Sequence, residues 1–153
     1  MSLAGKQHLL NSIRSLFHKK EQAPSSIPSQ EGPLRALPLS PEETRQMQIR
    51  VDRWVKGKGY RMPDTTIEDC ARRMDCHSVQ LHRYCINQLG QDFRTWRTRL
   101  RMEDAKALLL QEPDTSASHI GRMVGIKDRS NFLRQFSRYV GVTPDEWRRQ
   151  NGV

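Results

Sequence analysis

The feature that most constrains the fold of this 153-residue chain is a pattern that occurs twice. The segments "TIEDCARRMDCHSVQLHRYCINQLG" and "SASHIGRMVGIKDRSNFLRQFSRYVG" each contain the signals of a short helix, a turn, a longer helix and a terminal glycine. Alignment of Leu81 with Phe132 also aligns Arg83 with Arg134. This order of elements is that of a helix-turn-helix, so the sequence predicts two such units.

Within each unit, the residue types predict that the two helices cross closely. Phe132, Phe136 and Val140 recur at four-residue spacing and form an apolar face on the second helix of the second unit. Ala71 and Gly121 hold matching positions in the two first helices, where a close crossing needs a small residue.

The other segments also read as helices, and none reads as a strand. The "SPEE" sequence at 40–43 and the "TPDE" sequence at 143–146 have the form of capping boxes with proline at the first helical position. The prediction is an all-α domain of seven helices over residues 41–153. It divides into a first unit at 65–90, a long central helix at 92–111 and a second unit at 116–140.

Residues before this domain show two different patterns. Residues 1–21 hold an amphipathic helix, predicted over 3–21 from an apolar stripe formed by Leu9, Leu10, Ile13, Leu16 and Phe17. Three roles stay open for it: docking on its own domain, forming a homodimer or partner helix, or binding a membrane surface. Residues 22–40 contain four prolines and have the composition of a linker.

The charge of the chain favours a polyanionic partner. The formal net charge is +9 and the pI is about 10.0, which suits nucleic acid or an anionic membrane surface. No stretch has the roughly 20 apolar residues of a membrane span, and the N-terminus lacks the features of a signal peptide. If the chain is complete, we expect a soluble, cytoplasmic protein.

No residue pattern indicates a catalytic, metal or cofactor site. Cys76, His77, His82 and Cys85 match no usual zinc spacing, and glycine-rich phosphate loops and nucleophile elbows are missing. We interpret Asp104, like its neighbour Glu103, as an ordinary carboxylate on a helix surface. The sequence therefore predicts no enzyme, no cofactor and no small-molecule site.

The predicted base-contacting residues lie on the outward sides of the two second helices, at 78–89 and 128–140. The N-terminal half of such a recognition helix enters the major groove, where arginine bonds to guanine and an apolar side chain contacts the thymine methyl group. Predicted base contacts are Val79, Gln80, His82 and Arg83 in the first unit and Arg129, Ser130 and Arg134 in the second. Asn131 and Arg138 are better placed for phosphates.

The length of the central helix agrees with DNA geometry. A helix of about 20 residues spans roughly 30 Å, and successive major-groove segments on one face of B-DNA lie roughly 34 Å apart. One molecule can therefore place two recognition helices in adjacent major-groove segments of double-stranded DNA.

These residues resemble the AraC/XylS family of bacterial transcription regulators. The signature of that family is similar to "GIKDRSNFLRQFSRYVGVTPDEWR", with matches at Gly125, Asp128, Ser130, Phe132, Arg134, Phe136, Gly141, Thr143, Pro144, Trp147 and Arg148. Ile126 stands in place of the aromatic residue of the family, and Ser137 also departs from the signature. Upstream, "RLRMEDAKALL" is similar to the central helix of the family. The likeness covers roughly residues 45–150.

The resemblance implies a DNA-binding domain with the base contacts given above, and Arg148 joins the predicted phosphate contacts. It also implies activation or repression of transcription beside RNA polymerase. This domain is usually the output part of a larger sensor protein, so a membrane-anchored regulator with a cytoplasmic output domain is one form open to the chain. The alternative is a module for non-specific nucleic-acid binding or protein interaction.

Several positions depart from the family pattern. Ser137 replaces a lysine, and Gly121 replaces an alanine, which weakens that helix slightly. Asp75 stands where glycine is common in the first turn. His77 stands where a serine cap is usual, so we expect Ser78 to cap the first recognition helix instead.

Overall fold

The computed structural model describes residues 37–152, and each regular element in that range is helical. The seven α-helices are α1 (Pro41–Lys56), α2 (Ile67–Arg73), α3 (Ser78–Leu89), α4 (Phe93–Gln111), α5 (Ala117–Met123), α6 (Arg129–Val140) and α7 (Pro144–Gln150). A 3₁₀ turn, Gly59–Arg61, lies between α1 and α2. The predicted all-α fold with two helix-turn-helix units is confirmed. The predicted helix at 3–21 lies outside the described residues, as does most of the predicted linker.

Side-chain caps define where the helices begin. The Ser40 hydroxyl accepts a hydrogen bond from the Glu43 amide over 3.2 Å, which forms half of the predicted capping box at α1. At α3 the prediction of a Ser78 cap is wrong, because Ser78 is already helical and His77 is the N-cap residue. The His77 amide donates to the Gln80 side chain over 3.1 Å, so a residue one turn inside the helix supplies the acceptor.

Two hydrophobic cores share the central helix. The 93–100 part of α4 packs against α1, α2 and α3 in the first core, and the 102–109 part packs against α5 and α6 in the second. With 19 residues, α4 is about 28 Å long, enough to serve both cores. Leu39, which the sequence assigned to the linker, is buried in the first core.

One carboxylate of the central helix contradicts its interpretation as a surface residue. Asp104 is only 3% exposed and accepts a hydrogen bond from Arg61 Nη2 over 2.8 Å. Its position explains the burial, because it lies four residues from both Leu100 and Leu108 and therefore on the side of α4 that faces the protein.

Two arginines of α4 hold the segment that joins α1 to α2. Arg97 Nη1 donates to the Thr65 carbonyl over 2.8 Å, and Arg101 Nε donates to the Tyr60 carbonyl over 2.7 Å. The Met62 carbonyl accepts from both guanidinium groups. Burial and the neighbouring charge of Arg97 lower the pKa of Arg101 to about 10, so the cation stays charged at neutral pH although it is largely removed from water.

Arg148 makes the same kind of contact in the second unit. Its guanidinium donates to the Leu109 carbonyl over 3.1 Å, to the Glu112 carbonyl over 3.0 Å and to the Thr115 carbonyl. Arg97 and Arg148 each follow a tryptophan, and they are separated by the same offset as Leu81 and Phe132. The internal repeat therefore extends beyond the helix-turn-helix, to the helix that follows it.

The two turns have the same backbone form but different residues. In each turn an amide donates to the carbonyl five residues earlier, over 3.0 Å in the first unit and 2.8 Å in the second. Asp75, with φ of 54°, and Gly125, with φ of 87°, both lie in the left-handed region. Aspartate tolerates a φ of 54° better than most residues, so the first turn does not require glycine, whereas the φ of 87° at Gly125 lies beyond the usual range for residues with a side chain.

Gly121 lies where α5 crosses α6. A Cβ atom on Gly121 would lie 2.8 Å from Cγ and 3.0 Å from Cβ of Phe132. These atoms are at the base of the aromatic side chain and cannot swing aside. Ala71, the matching residue of the first unit, is buried with its methyl group in place. The second unit therefore needs glycine where the first accommodates alanine.

We expect Gly121→Ala to lower the free energy of unfolding, measured by urea denaturation, by about 1–2 kcal/mol. Overpacking a core costs about 1–3 kcal/mol, which exceeds the gain of up to about 1 kcal/mol that alanine brings to a helix. The same change in a Phe132→Ala background, compared with Phe132→Ala alone, is the control and should cost less, because alanine lacks the Cγ atom that Gly121 approaches. A stabilised Gly121→Ala variant would contradict the close crossing.

We expect Arg148→Ala to lower the free energy of unfolding by about 2–3 kcal/mol, because it removes hydrogen bonds from a charged donor to backbone carbonyls. Arg149→Ala is the matched control, since Arg149 is exposed, and should change stability by less than about 0.5 kcal/mol. If Arg148→Ala instead kept full stability and reduced the salt dependence of DNA binding, Arg148 would be a phosphate contact.

Candidate nucleic-acid interface

The outward side of α6 carries three of the predicted base-contacting residues. Phe132 and Phe136 are fully buried in the second core. Arg129, Ser130 and Arg134 are exposed on the other side of the helix. Phe132 and Phe136 are four residues apart and therefore share one face of the helix. The exposed residues lie at other positions in helical rotation and so face away from the core.

Asn131 orders the neighbouring side chains on this helix. Its side-chain oxygen accepts from Arg134 Nη2 over 3.0 Å and from Gln135 Nε2 over 2.8 Å. Arg138 is exposed one turn beyond Arg134. A guanidinium that is already held against its own helix loses less conformational freedom when it binds a base or a phosphate.

On α3 the predicted contacts lie in different surroundings. Val79 is 48% exposed, while His82 and Arg83 are half-buried. Gln80 uses its side-chain oxygen to cap the helix. The first recognition helix therefore presents an apolar residue and two partly covered basic side chains, in contrast to the arginine-rich surface of α6.

Arg83 lies close to the start of α1. The pKa of Glu43 is lowered mainly by hydrogen bonds from Ser40 and, to a smaller extent, by the positive charge of Arg83. His82, the preceding residue, instead borders a cleft beside α4. Arg83 and Arg134 hold equivalent helical positions, and Arg83 has the acidic side chain of Glu43 nearby.

Two adjoining clefts connect the recognition helices. One, of about 1000 Å³, lies between α4 and α6, and the other, of about 530 Å³, extends from α4 and α6 to His82 of α3. Arg94 and Thr98 of α4, with Asn131 and Gln135 of α6, line both clefts. We call the two clefts together the interhelix groove. Both recognition helices thus border one groove on the same side of the central helix.

The larger cleft of the interhelix groove is strongly basic. The cations in its lining are Arg94, Arg99, Lys106, Arg134 and Arg138, and among its described lining residues Glu103 is the one acid. Lys106 is paired with Glu103 over 3.0 Å and lies 5.1 Å from the Trp147 ring centroid. The excess of positive charge makes this surface suited to a phosphodiester backbone.

Arg94 is a site residue that the sequence interpretation missed. It is exposed, and within residues 37–152 its guanidinium makes no hydrogen bond or ion pair. The available signal was the polar stripe of α4, where Arg94, Thr98 and their neighbours recur at helical spacing opposite the buried Trp96. Its place in the interhelix groove could not be predicted without knowing which side of α4 faces the recognition helices.

Arg148 does not line the groove. Its predicted phosphate contact stays a prediction, but the guanidinium that would make it is already bound to three backbone carbonyls. The structure therefore gives this residue a role in stability.

The histidines and cysteines of the first unit form no metal cluster in the described part of the chain. Cys85 belongs to the first core, and burial raises the pKa of its thiol to about 12. Of the helices within residues 37–152, none has the length and apolar character needed to cross a membrane.

Comparison with known proteins agrees with this geometry. A family model described as "Helix-turn-helix domain" matches residues 70–150, just over half of the chain. The Raffinose operon transcriptional regulatory protein RafR of Pediococcus pentosaceus is 41% identical over 56 residues, which are 37% of this chain and 20% of that protein. The Lactose operon transcription activator of Staphylococcus xylosus is 30% identical over 83 residues, 54% of this chain and 29% of that protein. The chain thus spans less than a third of the length of these curated relatives.

Solved structures share the fold. The C-terminal domain of AraT, a response regulator from Geobacillus stearothermophilus, superposes with a TM-score of 0.57 and 29% identity over 73% of this chain and 87% of that one. An AraC-type DNA-binding domain-containing transcriptional regulator from Chromobacterium violaceum gives a TM-score of 0.60 at 23% identity, over 71% and 96% of the two chains, which is a likeness of fold. The chain belongs to the AraC-type helix-turn-helix family of DNA-binding transcription regulators.

Proposed function

We propose that this chain reads an asymmetric site on double-stranded DNA, with α3 and α6 in two successive segments of the major groove. The observation that carries the proposal is the interhelix groove, which both recognition helices border on one side of α4. A duplex that meets both helices must then pass over the basic lining between them.

The proposed base contacts differ between the two units. In α6, Arg134 and Arg129 donate to guanine acceptors, and Ser130 bonds to whichever base edge faces it. In α3, Val79 contacts a thymine methyl group, and His82 and Arg83 donate to base acceptors. The side-chain oxygen of Gln80 accepts the capping bond of α3. Its side-chain NH₂ group is left to donate to a base.

The proposed phosphate contacts come from α6 and from the central helix. Arg138 and Asn131 contact the strand beside the second recognition helix. Arg94 lies between the recognition helices and contacts the backbone where the minor groove separates the two major-groove segments. Arg148 is not among these phosphate contacts, because its guanidinium donates to the carbonyls at the end of α4.

The role of the whole protein follows by analogy with the family. We propose that the chain acts as the output domain of a cytoplasmic regulator that contacts RNA polymerase, with residues 3–21 as a homodimer or partner helix. A membrane-anchored regulator with this domain in the cytoplasm is a variant of the same proposal. Catalysis has no part in it, since the residues that border the groove are suited to binding phosphates and bases.

Selection of bound sites from a random duplex library tests the proposal. The expected product is an asymmetric site with two blocks of preferred bases about ten base pairs apart, one helical turn. A single block or a symmetric palindrome would contradict reading by two helices of one molecule. Recovery of no preferred sequence would favour the alternative of a non-specific nucleic-acid-binding module.

We expect Arg134→Ala to weaken binding to the selected site by about 1–3 kcal/mol and to relax the preference at one base pair. Arg138→Gln is the matched comparison on the next turn of α6. It should weaken binding nearly equally on all sequences and reduce the slope of log affinity against log salt by about one. Fluorescence anisotropy at several salt concentrations measures both. An Arg134→Ala loss that is equal on every sequence would remove the residue from the base contacts.

A further inference from the structure

The segment between α1 and α2 touches the second helix-turn-helix unit as well as its own. We call the set of Arg61, Asp64, Asp104, Gly125 and Lys127 the inter-unit contact. Arg61 and Asp64 precede α2 in the first unit, whereas Gly125 and Lys127 form the turn before α6. Asp104 belongs to the part of α4 that packs in the second core.

A buried ion pair anchors this contact. The Asp104 carboxylate, 3% exposed, accepts from Arg61 Nη2 over 2.8 Å, and Lys58 Nζ lies 3.8 Å from the same carboxylate. A buried carboxylate must keep its cationic partner, because an unpaired charge in the interior is strongly unfavourable. The pair therefore fixes the 58–61 segment against the second half of the central helix.

Gly125 brings the turn before α6 against the backbone of the segment between α1 and α2. A Cβ atom on Gly125 would lie 2.1 Å from the Arg61 carbonyl oxygen and 2.7 Å from its carbon. Asp75 has the same left-handed backbone in the first turn and is exposed. A φ of 54° thus accepts aspartate at 75, whereas at 125 both the φ of 87° and the close approach to Arg61 favour glycine.

An ion pair also joins this turn to the segment between α1 and α2. Lys127 Nζ is bonded to the Asp64 carboxylate, and this bond is the main cause of the lowered pKa of Asp64. Lys127 directly precedes Asp128, whose side chain caps α6 by accepting from the Asn131 amide over 2.6 Å. The start of the second recognition helix is therefore tied to the segment between α1 and α2.

We propose that the inter-unit contact sets the orientation of α6 relative to α3, and so determines the spacing between the two blocks of bases that the chain reads. The proposal rests on the proposed function above. The central helix alone is a weak determinant, because a tilt of about 10° over its length of about 28 Å displaces one end by about 5 Å. That displacement exceeds the rise of one base pair, about 3.4 Å.

A spacing series tests this role. The full chain is titrated with duplexes that carry the selected two-block site, with zero, one or two base pairs inserted or removed between the blocks. For the wild-type chain we expect the Kd to rise about tenfold or more for each base pair changed, on the scale of losing one base contact. For Gly125→Asp we expect that rise to fall to about threefold or less, because the second unit is no longer held in one orientation.

Two further variants separate positioning from stability. Asp75→Gly changes the matching residue of the other turn and should keep the wild-type spacing profile. Asp64→Asn breaks the exposed ion pair with Lys127 without removing a cation, and should flatten the profile in a chain whose fold is checked by circular dichroism. If Gly125→Asp does not fold, the spacing profile of Asp64→Asn decides the test.

The outcomes are distinct. A purely structural role would change the Kd by the same factor at every spacing. That result would overturn the inference, and so would an unchanged profile in both Gly125→Asp and Asp64→Asn. Either outcome would leave the proposed function in place. If the wild-type chain selected no two-block site, the proposed function would fail first, and this inference with it.

Discussion

Bonds from arginine side chains to backbone carbonyls hold the connections of this fold in place. The segment before α2 leaves several carbonyls without helical or sheet partners, and a buried carbonyl without a donor is costly. Arg97 and Arg101 supply donors to these carbonyls in the first unit, and Arg148 supplies them to the end of α4 in the second. A guanidinium is suited to this task because its five donors have a fixed planar arrangement and its charge does not depend on pH near neutrality.

Because these arginines bind the protein's own carbonyls, the positive net charge does not equal the charge available to a partner. The formal charge of +9 suggests many contacts with a polyanion, but Arg61, Arg97, Arg101 and Arg148 are bound to groups of the protein itself. Of the exposed cations within residues 37–152, Arg129, Arg134 and Arg138 lie on α6 and Arg94 on α4, while others, such as Arg53 and Arg149, lie on other helices. The net charge therefore overstates the number of cations that are available to a polyanion.

The sequence predicted the features that depend on local spacing. Capping boxes, glycines and apolar stripes are encoded within a few residues, so the helices, the two units and the outward face of α6 could be read directly. Features that depend on distant partners could not. The acceptors of Arg148 lie more than 30 residues away, and the ion pair of Asp104 with Arg61 spans 43 residues. The place of Arg94 in the interhelix groove depends on which side of α4 faces the recognition helices.

The shared central helix has a consequence for folding cooperativity. Because α4 contributes buried side chains to both cores, loss of either core leaves apolar surface of the same helix exposed to water. The two units are therefore coupled in unfolding, and neither has a complete hydrophobic core without α4. We therefore expect a ligand that binds one recognition helix to raise hydrogen-exchange protection in both halves of the domain.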